Sequence, residues 1–422
     1  MTETEMMERL RDAYRCALRK DQRGYRRQLE RVQAALDGTS ASDAMRGELA
    51  LACSFAHGRE LDALRDAFRE ALGLLGGPSR LLPQGVQLFG DAYNVYACCN
   101  VMPGQGDENA EKLTETVSLF YRLTGGGLGT DVCYRAQLAF YRGELEAARP
   151  LALEAFRLAR QNGQGLVALC AAETLTGIAK HRQDVALWNT AAGYIAAVAE
   201  GEDRACREQA ETLKCILDLS LGFLQSVPAW IRDGDFGVIS APWGYEMVGG
   251  KLLAGTLPDA MIVSIQYDSY RGEPVWALQT IDAMPKLYGM NDVILNAYLD
   301  FFRAGCYLRL GDAERVREAL ESAAGMLAPD GLWLIAAEFA PAFGEMLYSA
   351  VAKVCEAGAA RVRALGEGYW AKLTPFRQAL LRGASAGLTK REREVSALIA
   401  SGRTNAQSAG QLSIREWSVK SK

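Results

Sequence analysis

The sequence predicts an all-α chain built as an array of stacked helix pairs, and three observations carry that expectation. Apolar residues recur at i, i+3, i+4 and i+7, as in ELDALRDAFREALGLL (60–75) and ELEAARPLALEAFRLARQ (144–161), which is the period of an amphipathic helix. Strand-type Val/Ile/Thr alternation is almost absent, with VISAPW (238–243) and MIVSIQY (261–267) as the weak candidates. Short breaks recur near Gly24, Gly58, Gly106, Gly143, Gln183, Gln225, Gly272 and Gly311, at spacings centred near about 40 residues.

The chain opens on MTETEMMERLRDAYRCALRKD (1–21), which is charged throughout and has no apolar core of a signal peptide. Helix pairs then follow through about residue 325. Several of their turns share one pattern, clearest in AFYRGELEAA (139–148), SYRGEPVWA (269–277) and YLRLGDAERV (307–316), with KHRQDVALW (180–188) a degraded copy. Gly closes one helix in a left-handed cap, and the acidic residue after it suits the positive end of the next helix dipole. A single pair cannot bury its apolar stripe, so successive pairs must stack, and the expected product is an elongated superhelix. The Gly/Pro-richer interval 234–258 is expected as a long loop between pairs. Helices around 331–354 and 357–383 end the array, and SAG (385–387) leads into a basic tail.

These turns resemble those of tetratricopeptide-type repeats, with a longer period and without the full aromatic consensus. The resemblance implies an α-solenoid over residues 1–383, a linker at 384–387 and a separate tail at 388–422.

Composition bounds the function. The chain has 422 residues, is 49% apolar and 23% charged, and carries a net charge of −4, as ordinary globular proteins do. Residues 388–422 hold seven Lys/Arg against three Glu, so a small basic tail sits on an acidic body, the footprint of an appended nucleic-acid module. Ten cysteines without a CxxC pair, and only His57 and His181, fail the spacing of a zinc site and read as free, buried thiols of a reducing, cytoplasmic protein. The apolar stretch 240–265 is interrupted by Glu246, Lys251 and Asp259, too polar to span a bilayer, so no membrane partner is expected.

Enzymatic motifs are scarce. No P-loop and no nucleophile elbow is present, GGGLGTD (125–131) has neither the spacing nor the preceding strand of a dinucleotide site, and no carboxylate pair stands out. The expectation is a protein that is not an enzyme and that uses no metal or cofactor. The aromatic residues Tyr134, Tyr141, Trp188, Tyr270 and Trp276, near the turns and on the central pairs, are the candidates for an effector site on the concave surface, with repeat-core packing as their other reading.

The tail reads GLTKREREVSALIASGRTNAQSAGQLSIREWSVKSK (387–422). Thr389 can cap a helix carrying Val395, Leu398 and Ile399. Gly402 ends that helix, and Thr404 can cap a second one with Ala406, Ala409 and Leu412 inward. Ser413 opens a third, basic helix with Trp417, Val419, Lys420 and Lys422, which completes a helix-turn-helix. Leu388-Thr389, Arg391-Glu392, Glu394-Val395, Leu398, Gly402, Thr404-Asn405, Ala409, Leu412, Ile414 and Val419-Lys420 resemble, in order and without a gap, the LuxR-type (GerE-like) DNA-binding domain. A helical array before such a domain is similar to the large MalT-like regulators, which place an ATPase module ahead of the repeats. This chain begins within the repeats and stops at Lys422, so the fourth helix of the family's domain is expected to be missing. Where that family has Glu-Ile before the alanine of its second helix, this chain has Gln407-Ser408.

The resemblance implies a transcription regulator whose repeats sense a small-molecule effector or protein partner. Its DNA contacts would fall at Thr404, Asn405, Arg415, Ser418, Lys420, Ser421 and Lys422, with DNA bound by a homodimer once the domain is complete. The alternative is a ligand- or protein-binding solenoid whose DNA-binding remnant does not function.

Overall fold

The computed structural model describes residues 1–18, 21–36, 41–57, 60–88, 94–100, 102–235, 256–288 and 292–385, and in the tail 394, 395, 398 and 404–412. It is all-helical, with no strand among the described residues. The chain divides into two compact units, Met1–Trp370 and Ala371–Lys422. The division falls within a helix that runs from Glu356 to Ser385, ahead of the linker expected at 384–387. The helix continues through Gly383 and Ala384 to Ser385.

The first unit opens with α1 (Glu3–Leu18), α2 (Gln22–Leu36), α3 (Asp43–Ser54) and α4 (Leu61–Leu75). Their apolar stripes meet in one cluster around Leu10, Tyr14, Tyr25, Leu51 and Phe68. Buried Glu48 organises the polar atoms there, accepting from the Tyr14 hydroxyl at 3.1 Å, the Ser79 hydroxyl at 2.7 Å and the Arg80 amide at 2.9 Å. Gly24, expected as a break, lies inside α2.

The chain continues through α5 (Val95–Cys99), α6 (Gly106–Thr124), α7 (Thr130–Tyr141), α8 (Leu145–Gln161), α9 (Gly165–Arg182), α10 (Val185–Ala199), α11 (Arg204–Ser220) and α12 (Ala229–Arg232). It then forms α13 (Thr256–Arg271), α14 (Pro274–Tyr288), α15 (Val293–Leu310), α16 (Ala313–Leu327), α17 (Trp333–Phe343), α18 (Glu345–Val354) and α19 (Glu356–Ser385). The expected loop 234–258 lies largely outside the described residues. The expected helix 331–354 is split at Gly344 (φ 52°, ψ −129°), three residues after Pro341.

The recurring turns take the conformation their residues demand. Gly143, Gln183, Gly272 and Gly311 have φ of 78°, 57°, 89° and 76°. The next amide in each case reaches back five residues: Glu144 to Ala139 O at 2.9 Å, and Asp184 to Ala179 O, Glu273 to Asp268 O and Asp312 to Tyr307 O at 3.0 Å. The Asp184 and Asp312 carboxylates then cap the following helix, accepting from Leu187 N at 2.9 Å and Arg315 N at 3.1 Å. Gly163-Gln164 makes a fifth turn of this kind, with Gln164 N on Ala159 O at 2.8 Å.

From α7 to α11 each helix packs against the next, and odd-numbered helices also touch one another in the series α5, α7, α9, α11, α13, α15, α17. The series closes on itself, because α17 returns to α7 and α15 to α5. An open, elongated stack would keep these elements apart; polar groups in the α16–α17 turn bring them together. The buried Asp330 carboxylate accepts from Gly104 N and Gly106 N, both at 2.8 Å, and so caps the start of α6, while the Tyr96 hydroxyl donates to it at 3.3 Å. Arg142 Nε donates to Asp330 O at 2.8 Å and its guanidinium pairs bidentately with Asp107 at 2.9 and 2.8 Å.

MIVSIQY, weakly strand-like in sequence, is the middle of α13. Met261 and Ile265 pack with α14 and α15, whereas Val263 and Tyr267 pack with Cys215, Leu219 and Ile231. Two i,i+4 stripes interleave on a helix buried from two sides, and their interleaving mimics alternation.

In the second unit, Leu373 and Phe376 are buried, and α20 (Asn405–Leu412) follows Thr404. Val395 and Ala409 are buried together with half-buried Leu412 packed against them. Thr404 and Gln407 form a reciprocal cap, Gln407 N donating to Thr404 Oγ1 at 3.2 Å and Thr404 N to Gln407 Oε1 at 3.0 Å. Ala406, expected inward, is exposed, and Ser408 is buried with no hydrogen-bond partner for its hydroxyl among the described residues.

Candidate functional site

Closure of the odd-numbered helices leaves a cavity of about 590 Å³, within the range that holds a drug-sized ligand. Each odd helix from α7 to α17 supplies wall: Phe140 and Tyr141 from α7, Glu173, Gly177 and Lys180 from α9, Ile216 and Ser220 from α11. Opposite them stand Ile262, Gln266 and Tyr270 from α13, Tyr298, Phe301, Phe302 and Arg309 from α15, and Glu338 and Phe339 from α17. Trp188 of α10 also borders it.

α9 sets the polar pole of this cavity. Its sequence, GLVALCAAETLTGIAKHR, is apolar around most of its circumference and buried nearly end to end. Glu173 and Lys180 stand two turns apart on one face, with Gly177 between them. A Cβ at Gly177 would stand 2.5 Å from Cζ of Phe140, so the glycine lets that ring lie against the helix.

Lys180 Nζ at 3.1 Å and His181 Nε2 at 3.2 Å meet the same oxygen, Oε1 of Glu338. Burial pushes the Glu338 carboxyl up, but the Lys180 ammonium and the His181 hydrogen bond more than offset it and draw the group down to about 2. Burial lowers the His181 pKa despite Glu338 beside it, so the imidazole is neutral at pH 7 and donates from Nε2–H to the carboxylate.

Glu173 differs. Burial raises its carboxyl to about 7 against the pull of Lys180, and its carboxylate has no hydrogen bond or ion pair among the described residues. Tyr141 lies close by. Burial first, and then the charge of Glu173, raises its phenol well above the usual range. Asn94 Nδ2 donates to the Tyr141 oxygen, while Asn94 Oδ1 is held by Ala97 N at 2.9 Å. The Tyr141 proton is left available to an acceptor in the cavity.

Of the five aromatic residues singled out in the sequence, Tyr141, Trp188 and Tyr270 line the cavity. Tyr134 does not: it is fully buried, donating to Gly106 O at 2.8 Å and accepting from Asn100 Nδ2 at 2.7 Å, next to the Asp330 contacts. Trp276 stands on α14 and is 66% exposed. Sequence reasoning missed Glu173, Lys180, Glu338 and Tyr298. A partial signal marked Glu173 and Glu338, single carboxylates within almost wholly apolar helical stretches, though such stretches do not show which face turns inward. Lys180 sits in an ordinary basic last turn with His181 and Arg182.

In the tail, Thr404 caps α20 and Asn405 begins it. Arg415, Ser418, Lys420, Ser421 and Lys422 lie outside the described residues. None of the ten cysteines forms a disulfide, and seven of them are buried. No described helix is long and apolar enough to cross a membrane. No model of a known protein family matches the chain, and no curated protein is similar to it.

Proposed function

We propose that the chain is a transcription regulator of LuxR type whose helical body binds an effector in the cavity bounded by α7 to α17. In this reading the body is an α-solenoid of tetratricopeptide-like pairs, and the tail is a helix-turn-helix that contacts DNA through Thr404, Asn405 and the basic residues after Ser413. The observation that carries it is the cavity, whose wall draws on six successive odd-numbered helices. A ligand there touches all six, so its binding energy can bias their arrangement. The Thr404–Gln407 cap and the Val395–Ala409–Leu412 packing are what the second helix of such a tail requires, and they support the DNA arm.

Selection from a random-sequence duplex DNA pool tests the reading, with the purified chain, a version ending at Ser385 and a version whose tail is extended by the fourth helix of the LuxR-type domain. The extended version is expected to enrich one motif, sensitive to salt as phosphate contacts demand, with weak enrichment by the chain itself and none by the version ending at Ser385. If the extended version enriches no motif yet the chain binds small molecules in its cavity, the protein is the non-DNA-binding solenoid receptor instead.

A further inference from the structure

We propose that the ligand of this cavity is an apolar organic ammonium ion, its charged nitrogen seated against the Glu173 carboxylate and its carbon body among the rings of Tyr141, Trp188, Tyr270 and Tyr298. The inference deepens the effector-site reading and rests on it.

Charge is the first argument. The cavity contains two carboxylates and, on its inner wall, one ammonium. Lys180 is already engaged, because its nitrogen and the His181 ring both point at Glu338. Glu173 is therefore the surplus acidic group, in contact with the cavity and, among the described residues, with neither a donor nor a cation on its carboxylate. The remaining cation of the wall, Arg309, is exposed near the C-terminal end of α15. A cation brought by the ligand completes the arrangement; an anion would meet Glu173 and Glu338 together.

The lining is the second argument. Nine aromatic side chains border the cavity, from Phe140 to Phe343. Ring faces attract a desolvated ammonium ion, and they attract a neutral hydroxyl of the same shape far less. The same rings, with Ile216, Ile262 and Ile294, offer the ligand's carbon body an apolar bed. A small inorganic cation would leave that bed empty, so the class is an amine with a substantial hydrocarbon or aromatic part. The free Tyr141 proton provides one further polar contact, suited to an acceptor on the ligand body.

Calorimetric titration of the full chain with three probes on one skeleton decides it: 4-(2-naphthyl)butylamine, the corresponding alcohol and the corresponding carboxylic acid. The amine is expected to bind at least tenfold more tightly than the alcohol, with the acid weakest. Glu173→Gln is expected to reduce the amine to the alcohol's affinity and to leave the alcohol unchanged. Equal binding of amine and alcohol by the unaltered chain, or tightest binding of the acid, overturns the inference while leaving the cavity a binding site. These outcomes need no variant, so they hold even if Glu173→Gln fails to fold. An amine preference that survives in a folded Glu173→Gln chain also overturns it. If none of the three probes binds, the cavity reading falls together with the inference.

Discussion

Glu173 and Glu338 face one cavity and titrate in opposite directions, which makes their effects on stability separable by pH. The Glu338 carboxyl is drawn down to about 2, so its contribution is complete above about pH 4.5 and is lost as the pH falls toward 2. Glu338→Gln leaves the Lys180 ammonium buried without its carboxylate and is expected to cost about 3 kcal/mol at pH 7 by denaturant unfolding. Glu173 has its carboxyl raised to about 7, so the folded chain holds that proton more tightly than the unfolded one. Its penalty is absent below about pH 4.5 and complete above about pH 7. Glu173→Gln should therefore gain roughly 1–3 kcal/mol at pH 8 and almost nothing at pH 4. A stabilising substitution at a residue argued to hold ligand is the usual mark of a site kept for function. In the tail, buried Ser408 hides a hydroxyl with no partner among the described residues. Ser408→Val is expected to raise the tail's melting midpoint by the equivalent of about 1 kcal/mol, measured by amide exchange in α20. Ser408 stood out in the sequence as a polar residue between the two apolar positions expected inward, Ala406 and Ala409. Glu173 was not legible in the same way: its importance depends on which face of α9 turns inward, and an almost wholly apolar helix conceals its faces.

At the scale of elements, the turns were the most legible part of the chain. Gly143, Gln183, Gly272 and Gly311 all take the left-handed conformation that the Gly-acidic pattern requires. Gln183 is the one non-glycine residue among the described residues that does so, and the side chain it carries costs energy there. Gln183→Gly is expected to stabilise the first unit by roughly 0.5–1 kcal/mol. Gly143→Ala should lose about 1–2 kcal/mol, since its Cβ would also stand 2.9 Å from both Cδ atoms of Leu365. Thermal unfolding of the two variants side by side checks the pair. Where an element was misjudged, burial was the reason. α13 is covered on two sides, so its apolar residues carry two helical stripes at once and lose the single-period signal. The break at Gly344 was missed because WLIAAEFAPAF and EMLYSAVAKV both carry a strong helical pattern up to it.

For the first unit as a whole, local pairing was readable and closure was not. Stacking follows from each pair's apolar stripe, a property of neighbouring residues. The return of α17 to α7 depends on Asp330 meeting Gly104 and Gly106, positions 226 and 224 residues away, and no local pattern announces such a meeting. Asp330→Ala leaves the buried Gly106 amide and the more exposed Gly104 amide without their acceptor and is expected to cost about 1–3 kcal/mol. It should also turn one unfolding transition into two, because an unclosed array can lose its ends separately; circular dichroism through a urea titration reads both effects. The same clasp has a consequence during synthesis. The amides of Gly104 and Gly106 leave the ribosome long before Asp330 does, and at roughly 5–20 residues per second the delay is on the order of ten to forty seconds. In the later part of that interval, once α11 is made and before α15 and α17 follow, the nascent chain carries α5 to α11 with their cavity-facing aromatic rings uncovered. A stalled chain ending near residue 300 is therefore the species on which ribosome-associated holdases should crowd most densely, and release of that occupancy should coincide with emergence of the α16–α17 turn.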